Sequence, residues 1–244
     1  MANLYFVDQA LSAATRTVEL VGDEARHAVQ VARVRVGDRF EVSDGNGWRA
    51  DATVTVADKA RVECSVENPR RDGESPIRIV LAQALAKGDR DELAVQAATE
   101  LGVSVVMPWQ SERSVSKWVG DKVTKGVARW TAIVREASKQ AMRSRVPIVA
   151  QPVSTAGICA TEPNATWIVL DPRGEQSLSS WFAAAGKPTT IGIVVGPEGG
   201  ISDAEIDALR TLGATPIRLD GPILRTSTAG PAAIAALFAL GGVW

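Results

Sequence analysis

Along the first seventy or so residues, short apolar stretches recur around positions 18–21, 40–42, 52–56 and 62–66, separated by Gly and Asp. That spacing predicts a small β-rich unit folded as a compact barrel. Asp44-Gly-Asn-Gly47 stands as a turn between two strand-like runs, and Val36-Gly-Asp38 marks another corner. One short helix over residues 24–31 is predicted to interrupt the strands, with Asp23 as its N-cap.

Residues 68–76 turn polar and rich in Pro and Gly, the composition of a linker. Beyond them the period changes. Strand-length apolar runs at 77–85, 103–107, 167–170, 191–195 and 217–219 alternate with helical stretches, which predicts a buried parallel sheet flanked by helices. Leu93, Ala97 and Leu101 mark the apolar face of one helix, closed by Gly102 as C-cap. Val123, Val127, Trp130, Val134, Ala137 and Ala141 form the stripe of a second, with Lys125, Arg129, Arg135, Lys139 and Arg143 on its other faces. Ser202-Asp-Ala-Glu205 is a capping box opening a helix that ends at Gly213, and a last helix runs from about Ala229 to Leu240. The chain therefore divides into a β-rich unit over 1–72 and an α/β unit over 73–244.

Composition narrows the chemistry. No apolar run approaches the roughly 18–20 residues that cross a bilayer, and the stretch from Met1 to Asp8 lacks the blocks of a signal peptide, so no membrane association and a cytoplasmic location are expected. Cys64 and Cys159 lie far apart with no ligand-spaced neighbour and read as buried apolar residues. With His27 the only histidine, no metal centre is expected. The net charge of −1 hides a basic segment, residues 112–145, in which nine Lys or Arg face three acids. A solvated helix face and a surface for RNA phosphates are both compatible with it.

In open parallel sheets, ligands bind where strands end, and three loops there are unusual. They are Asp171-Pro-Arg-Gly174, Gly196-Pro-Glu-Gly-Gly200, and the run from Asp220 to Ala229. The glycines of the second let backbone N–H groups approach a ligand closely, yet neither G-x-G-x-x-G nor G-x-x-x-x-G-K-[ST] is present, so dinucleotide and nucleoside-triphosphate chemistry lose their usual support.

Gly196-Pro-Glu-Gly-Gly-Ile201, followed by Leu219-Asp-Gly-Pro-Ile-Leu-Arg-Thr-Ser-Thr-Ala229, resembles the cofactor-binding end of the SPOUT methyltransferases, specifically the bacterial small-subunit (16S) rRNA uracil-N3 methyltransferases. The resemblance continues through Leu85 to Arg90, Thr99 to Gly102, Ser111-Glu-Arg-Ser114, and Glu136 to Gln140 with Arg143 and Pro147. In the amino-terminal unit, His27 to Arg33 and Gly37-Asp38 resemble that family's PUA-like RNA-binding barrel. The resemblance implies a carboxy-terminal domain tied in a trefoil knot, S-adenosylmethionine as cofactor, a homodimer, and small-subunit rRNA as substrate in the form of the assembled subunit.

It also implies a site. Leu170, Val195, Gly196, Pro197, Glu198, Gly199, Gly200, Leu219, Gly221, Ile223, Leu224, Thr226, Ser227 and Ala229 are expected around the cofactor. Arg225 is the expected holder of the base or its phosphate, with Glu198 or Glu136 as general base. Arg33, Arg35, Lys87, Arg113 and Arg143 are expected on RNA. One departure stands out: Ser227 occupies a position where the family usually carries an acid. Two other readings stay open on sequence, a SPOUT relative acting on tRNA or a ribose 2'-hydroxyl, and a noncatalytic RNA-binding factor of the same fold.

Overall fold

The computed structural model describes residues 4–58 and 60–244, so the first three residues of the amino-terminal stretch lie outside it. The chain forms two compact units: one holds the residues up to Glu74 together with Ser138–Val146, the other Ser75–Ala137 and Pro147–Trp244. No helix among the described residues is long and apolar enough to cross a membrane.

In the first unit, β1 (Leu4–Phe6), β2 (Thr17–Val21), β3 (Arg39–Ser43), β4 (Trp48–Ala57) and β5 (Arg61–Arg71) form one sheet in the order β1-β3-β4-β5-β2, curled into a half-barrel. Register shifts between Arg49 and Asp51 and between Val54 and Val56 bend β4 against β5, as bulges do, and so bring the inward side chains round one core. Tyr5, Leu20, Val42, Val54 and Val62 are buried in it. β1 escaped the sequence reading because three residues carry too little pattern to register. The expected helix is really two segments, α1 (Gly22–Arg26) and a π-helical turn (His27–Val31). Asp23 is not its N-cap: Gly22, at φ +58°, turns the chain one residue earlier, leaving Asp23 in the first turn, paired with Arg26 at 2.8 Å.

The segment 138–146 belongs to this unit through its backbone and side chains. Ser144 O accepts from Ser43 Oγ at 3.0 Å and from Gly47 N at 2.9 Å, while Ser144 Oγ donates to Asp72 at 2.6 Å. Arg145 donates to the carbonyls of Asn46 and Asp72. Its guanidinium lies where a Cβ on Gly47 would be, at 2.5 Å. Lys139 reaches Glu24 at 3.2 Å, both side chains largely buried.

In the second unit, β6 (Arg78–Ala84), β7 (Val105–Trp109), β8 (Ile148–Val149), β9 (Thr166–Leu170), β10 (Gln176–Ser177), β11 (Thr190–Val195) and β12 (Thr215–Arg218) make a parallel sheet in the order β10-β12-β9-β11-β6-β7-β8. The continuous Val/Ile/Leu runs of β6, β9 and β11 suit strands covered on both faces. The helices of this unit are α2 (Arg90–Leu101), α4 (Ile158–Thr161), α5 (Leu178–Ala184), α6 (Asp203–Thr211) and α7 (Thr226–Leu240), with α3 (Asp121–Gln140) belonging to it as far as Ala137.

Two helices differ from expectation. The buried face of α2 is Asp91, Ala94, Val95, Ala98 and Thr99, whereas Leu93 is 55% exposed. Small side chains let α2 and α7 pack closely, and Leu93 faces outward; Gly102, at φ +112° as C-cap, comes so near Phe238 that a Cβ would sit 2.8 Å from the ring. Helix α7 begins three residues before Ala229, because the Arg225 carbonyl accepts the N–H groups of Thr228 and Ala229. The capping box of α6 is formed as expected, and the stripe of α3 buries Trp130, Val134 and Ala137.

Candidate functional site

Four adjacent strands, β12, β9, β11 and β6, end together, and the loops that follow them build the site. A cavity of about 520 Å³ is walled by Leu170, Val195, Pro197, Ile223, Leu224 and Ala229, and is lined also by Gly196, Gly200, Thr226 and the charged residues Arg90, Arg113, Asp171, Arg173, Glu198 and Arg225. A second cavity of about 330 Å³ shares Leu170, Ile223 and Leu224 and adds Leu219 and Gly221.

Short polar ties hold these loops. Thr226 Oγ1 donates to Gly196 O at 2.7 Å and accepts from Gln83 Nε2 at 2.8 Å, so the loops after β11 and β12 are fastened to the end of β6. Gln83 is fully buried, and its Oε1 has no partner among the described residues. Arg173 wraps Asp171, donating from N at 2.8 Å, Nε at 2.9 Å and Nη2 at 2.8 Å, and its Nη2 also reaches Ile201 O. That guanidinium holds the Asp171 carboxyl below the ordinary carboxylate range, against the opposing effect of burial. Gly174 completes the turn where no side chain fits: a Cβ would lie 2.6 Å from the backbone carbon of Ile217.

On the opposite flank, Glu198 Oε1 accepts from Lys87 N at 3.1 Å and Arg90 Nη1 at 3.2 Å. Asp91 caps the same turn by accepting from Ala86 N, and burial keeps its carboxyl above the usual range. Arg113 Nη1 donates to Gly199 O at 3.1 Å.

Most residues expected around a cofactor are therefore brought together, and Arg225 and Glu198 join them. Gly199 and Ser227 line neither cavity: Gly199 turns its carbonyl to Arg113, and Ser227 follows Thr226 into the first turn of α7. Glu136 stands exposed on α3 and lines neither cavity. Of the residues expected on RNA, Arg113 also lines the first cavity, Lys87 is exposed on the turn before α2, and Arg33 and Arg35 are exposed in the first unit. Arg143 is half-buried in the first unit, and desolvation pushes its guanidinium down to about 10. Arg90, Asp171 and Arg173 line the cavity although they are not among the residues expected around the cofactor; Asp171 and Arg173 belong to the unusual loop 171–174 after β9, and Arg90 to the run 85–90 after β6. Among the described residues no group of acids, His or Cys is placed to hold a metal ion. Cys64 and Cys159 are both buried and free, and burial pushes the Cys64 thiol up to about 11.

Half-barrel, parallel sheet and glycine-lined cavity together match one class of protein. Residues 73–238 fit the family model described as an RNA methyltransferase domain, and residues 20–67 that of an RNA methyltransferase PUA domain. The chain is 36% identical over 252 residues to ribosomal RNA small subunit methyltransferase E of Mycobacterium bovis, covering 100% of this chain and 94% of that protein. It is 33% identical to the Bacillus subtilis protein of the same name, over 91% and 89% of the two chains. A crystal structure of ribosomal RNA small subunit methyltransferase E from Neisseria gonorrhoeae bound to S-adenosyl methionine superposes with a TM-score of 0.88 at 31% identity, over 98% of both chains. A Legionella pneumophila protein solved with bound SAM gives 0.87 at 28% identity, over 100% and 98%. This chain belongs to the ribosomal RNA small subunit methyltransferase E family.

Proposed function

We propose that this protein transfers a methyl group from S-adenosylmethionine to N3 of a uracil in small-subunit (16S) rRNA, acting on the assembled subunit. The observation that carries the reading is the pair of adjoining cavities built from the loops of residues 196–200 and 219–229.

The residues fit that cofactor. Leucine and isoleucine walls suit an adenine ring, and no phosphate-binding lysine is needed. Gly221 leaves its backbone uncovered for the cofactor's polar edges: nothing lies within 4 Å of where its Cβ would be, and its φ of +125° is a conformation L side chains rarely adopt. When bound, S-adenosylmethionine supplies an electrophilic methyl group on a sulfonium.

The rest is done by this chain. Methylation at N3 requires loss of the imino proton and stabilisation of negative charge on the base oxygens. Arg225 lines the cavity and offers the donors for that charge. Of the two carboxylates, Glu198 is at the cavity and Glu136 is not. With Glu198 Oε1 engaged by Lys87 N and Arg90, its Oε2 is the atom to take the proton. Ser227 stands where the resemblance implies an acid, and Asp171, the other carboxylate at the cavity, is wrapped by Arg173, so Glu198 is the carboxylate assigned to the task. The unit holding residues 1–72 guides RNA through Arg33 and Arg35, with Arg143 in the same compact unit, while Lys87 and Arg113 hold phosphates near the cavity. The protein works as a cytoplasmic homodimer whose carboxy-terminal unit is knotted.

Calorimetric titration with S-adenosylmethionine tests the cofactor half: one site per chain is expected, weakened at least tenfold in Gly196→Val, whose side chain would collide with Ile201 (a Cβ already lies 2.5 Å from its Cγ1). Absence of binding by the wild-type chain would overturn it.

A further inference from the structure

Glu205 is 7% exposed, and its carboxylate receives four hydrogen bonds from three separate parts of the chain. Oε2 accepts from Ser202 N at 3.2 Å and Ser202 Oγ at 3.3 Å, which is half of the capping box of α6. Helix capping explains that oxygen only. Oε1 accepts from Glu112 N at 2.8 Å and from Thr155 Oγ1 at 3.2 Å, and Thr155 Oγ1 in turn accepts from Trp109 Nε1 at 3.2 Å. Residues 111–114 form a tight turn, Ser114 N donating to Ser111 O, with both serines buried. Arg113 is exposed at its tip, adjacent to the amide that Glu205 holds; its Nη1 bonds Gly199 O and its Cβ comes within 3.4 Å of where a Cβ on Gly199 would be.

We propose that Glu205 is a positioning residue for the methyl-transfer reaction: through the Glu112 amide it fixes the turn that carries Arg113 and so sets that guanidinium against the loop 196–200, where it meets RNA. The inference rests on the functional reading given above. A charge-assisted hydrogen bond to a backbone amide in a water-poor setting is strong and directional, so it suits the holding of one side chain in register.

The test compares Glu205→Ala, Arg113→Ala, the double variant, Glu205→Gln and Ser202→Ala, reading KM and kcat for small-subunit rRNA together with hydrogen exchange at the Glu112 amide. Glu205→Ala should expose that amide and raise KM for RNA on the order of tenfold, as Arg113→Ala does, and the double variant should be no worse than either. Glu205→Gln keeps an acceptor for the amide and restores KM, although half of the capping box is lost. Ser202→Ala lowers stability and leaves KM and amide protection unchanged. The proposal is overturned if the Glu112 amide stays protected in Glu205→Ala, if Ser202→Ala raises KM equally, or if the losses in the double variant multiply. Should the wild-type chain transfer no methyl group, the functional reading fails, and exchange at Glu112 still decides whether Glu205 holds the turn.

Discussion

Arg225 and Asp171 show how single side chains divide the work of this site. Arg225 gives its backbone carbonyl to the first turn of α7 and its guanidinium to the cavity. Arg225→Ala should therefore keep the helix and the cofactor affinity while lowering the rate of methyl transfer by about 10²–10³-fold, measured under saturating S-adenosylmethionine. Asp171 has a structural duty. Its carboxyl is held below the ordinary range by Arg173, so it favours the folded state above the unfolded carboxylate range, near pH 4, and that contribution is lost as pH falls through the lower folded value. Asp171→Asn should melt a few degrees below wild type at pH 7, and the gap should narrow as pH falls below the unfolded carboxylate range if thermal unfolding is followed across pH. The Gly196–Gly200 loop and the residues from Leu219 to Ala229 could be picked out from sequence, since glycines after apolar strands announce a ligand-facing turn. The bonds from Arg173 to Asp203 and from the Glu112 amide to Glu205 could not, because the partners lie 30 and 93 residues apart and are chosen by the fold.

At the level of elements, period decided what was legible. The stripe of α3 and the capping box of α6 were readable because each is a local pattern that the tertiary structure leaves in force. The face of α2 was misread for a physical reason: hydrophobicity pointed to Leu93, while close packing against α7 selects the small residues Ala94 and Ala98. Ala98→Leu should accordingly destabilise the protein by roughly 1–3 kcal/mol in chemical denaturation, by overpacking. Leu93→Ala should stay within about 0.5 kcal/mol of wild type. Strands β1, β8 and β10 span two or three residues each and carry no periodicity of their own; the sheets into which they pair supply their reason to exist. Residues 138–146 were equally hidden, because nothing local signals that a chain segment leaves one compact unit to complete another.

For the whole molecule, an α/β architecture of a curled five-stranded sheet and a seven-stranded parallel sheet places a two-part, glycine-lined cavity where β9, β11 and β12 end. A net charge of −1 gives the chain no overall attraction for RNA, so recognition falls to individual exposed cations such as Arg33, Arg35, Lys87 and Arg113. The proposed reaction is tested most directly by mapping modified nucleotides in small-subunit rRNA by mass spectrometry. The rRNA is taken from cells lacking this protein and mapped again after those purified subunits are incubated with the protein and S-adenosylmethionine. The proposed function predicts one 3-methyluridine absent from the deletion strain and restored in vitro by wild type, with restoration by Arg225→Ala slowed in step with its rate defect. A 3-methyluridine that persists without the protein, with no methyl group gained in vitro, would contradict it.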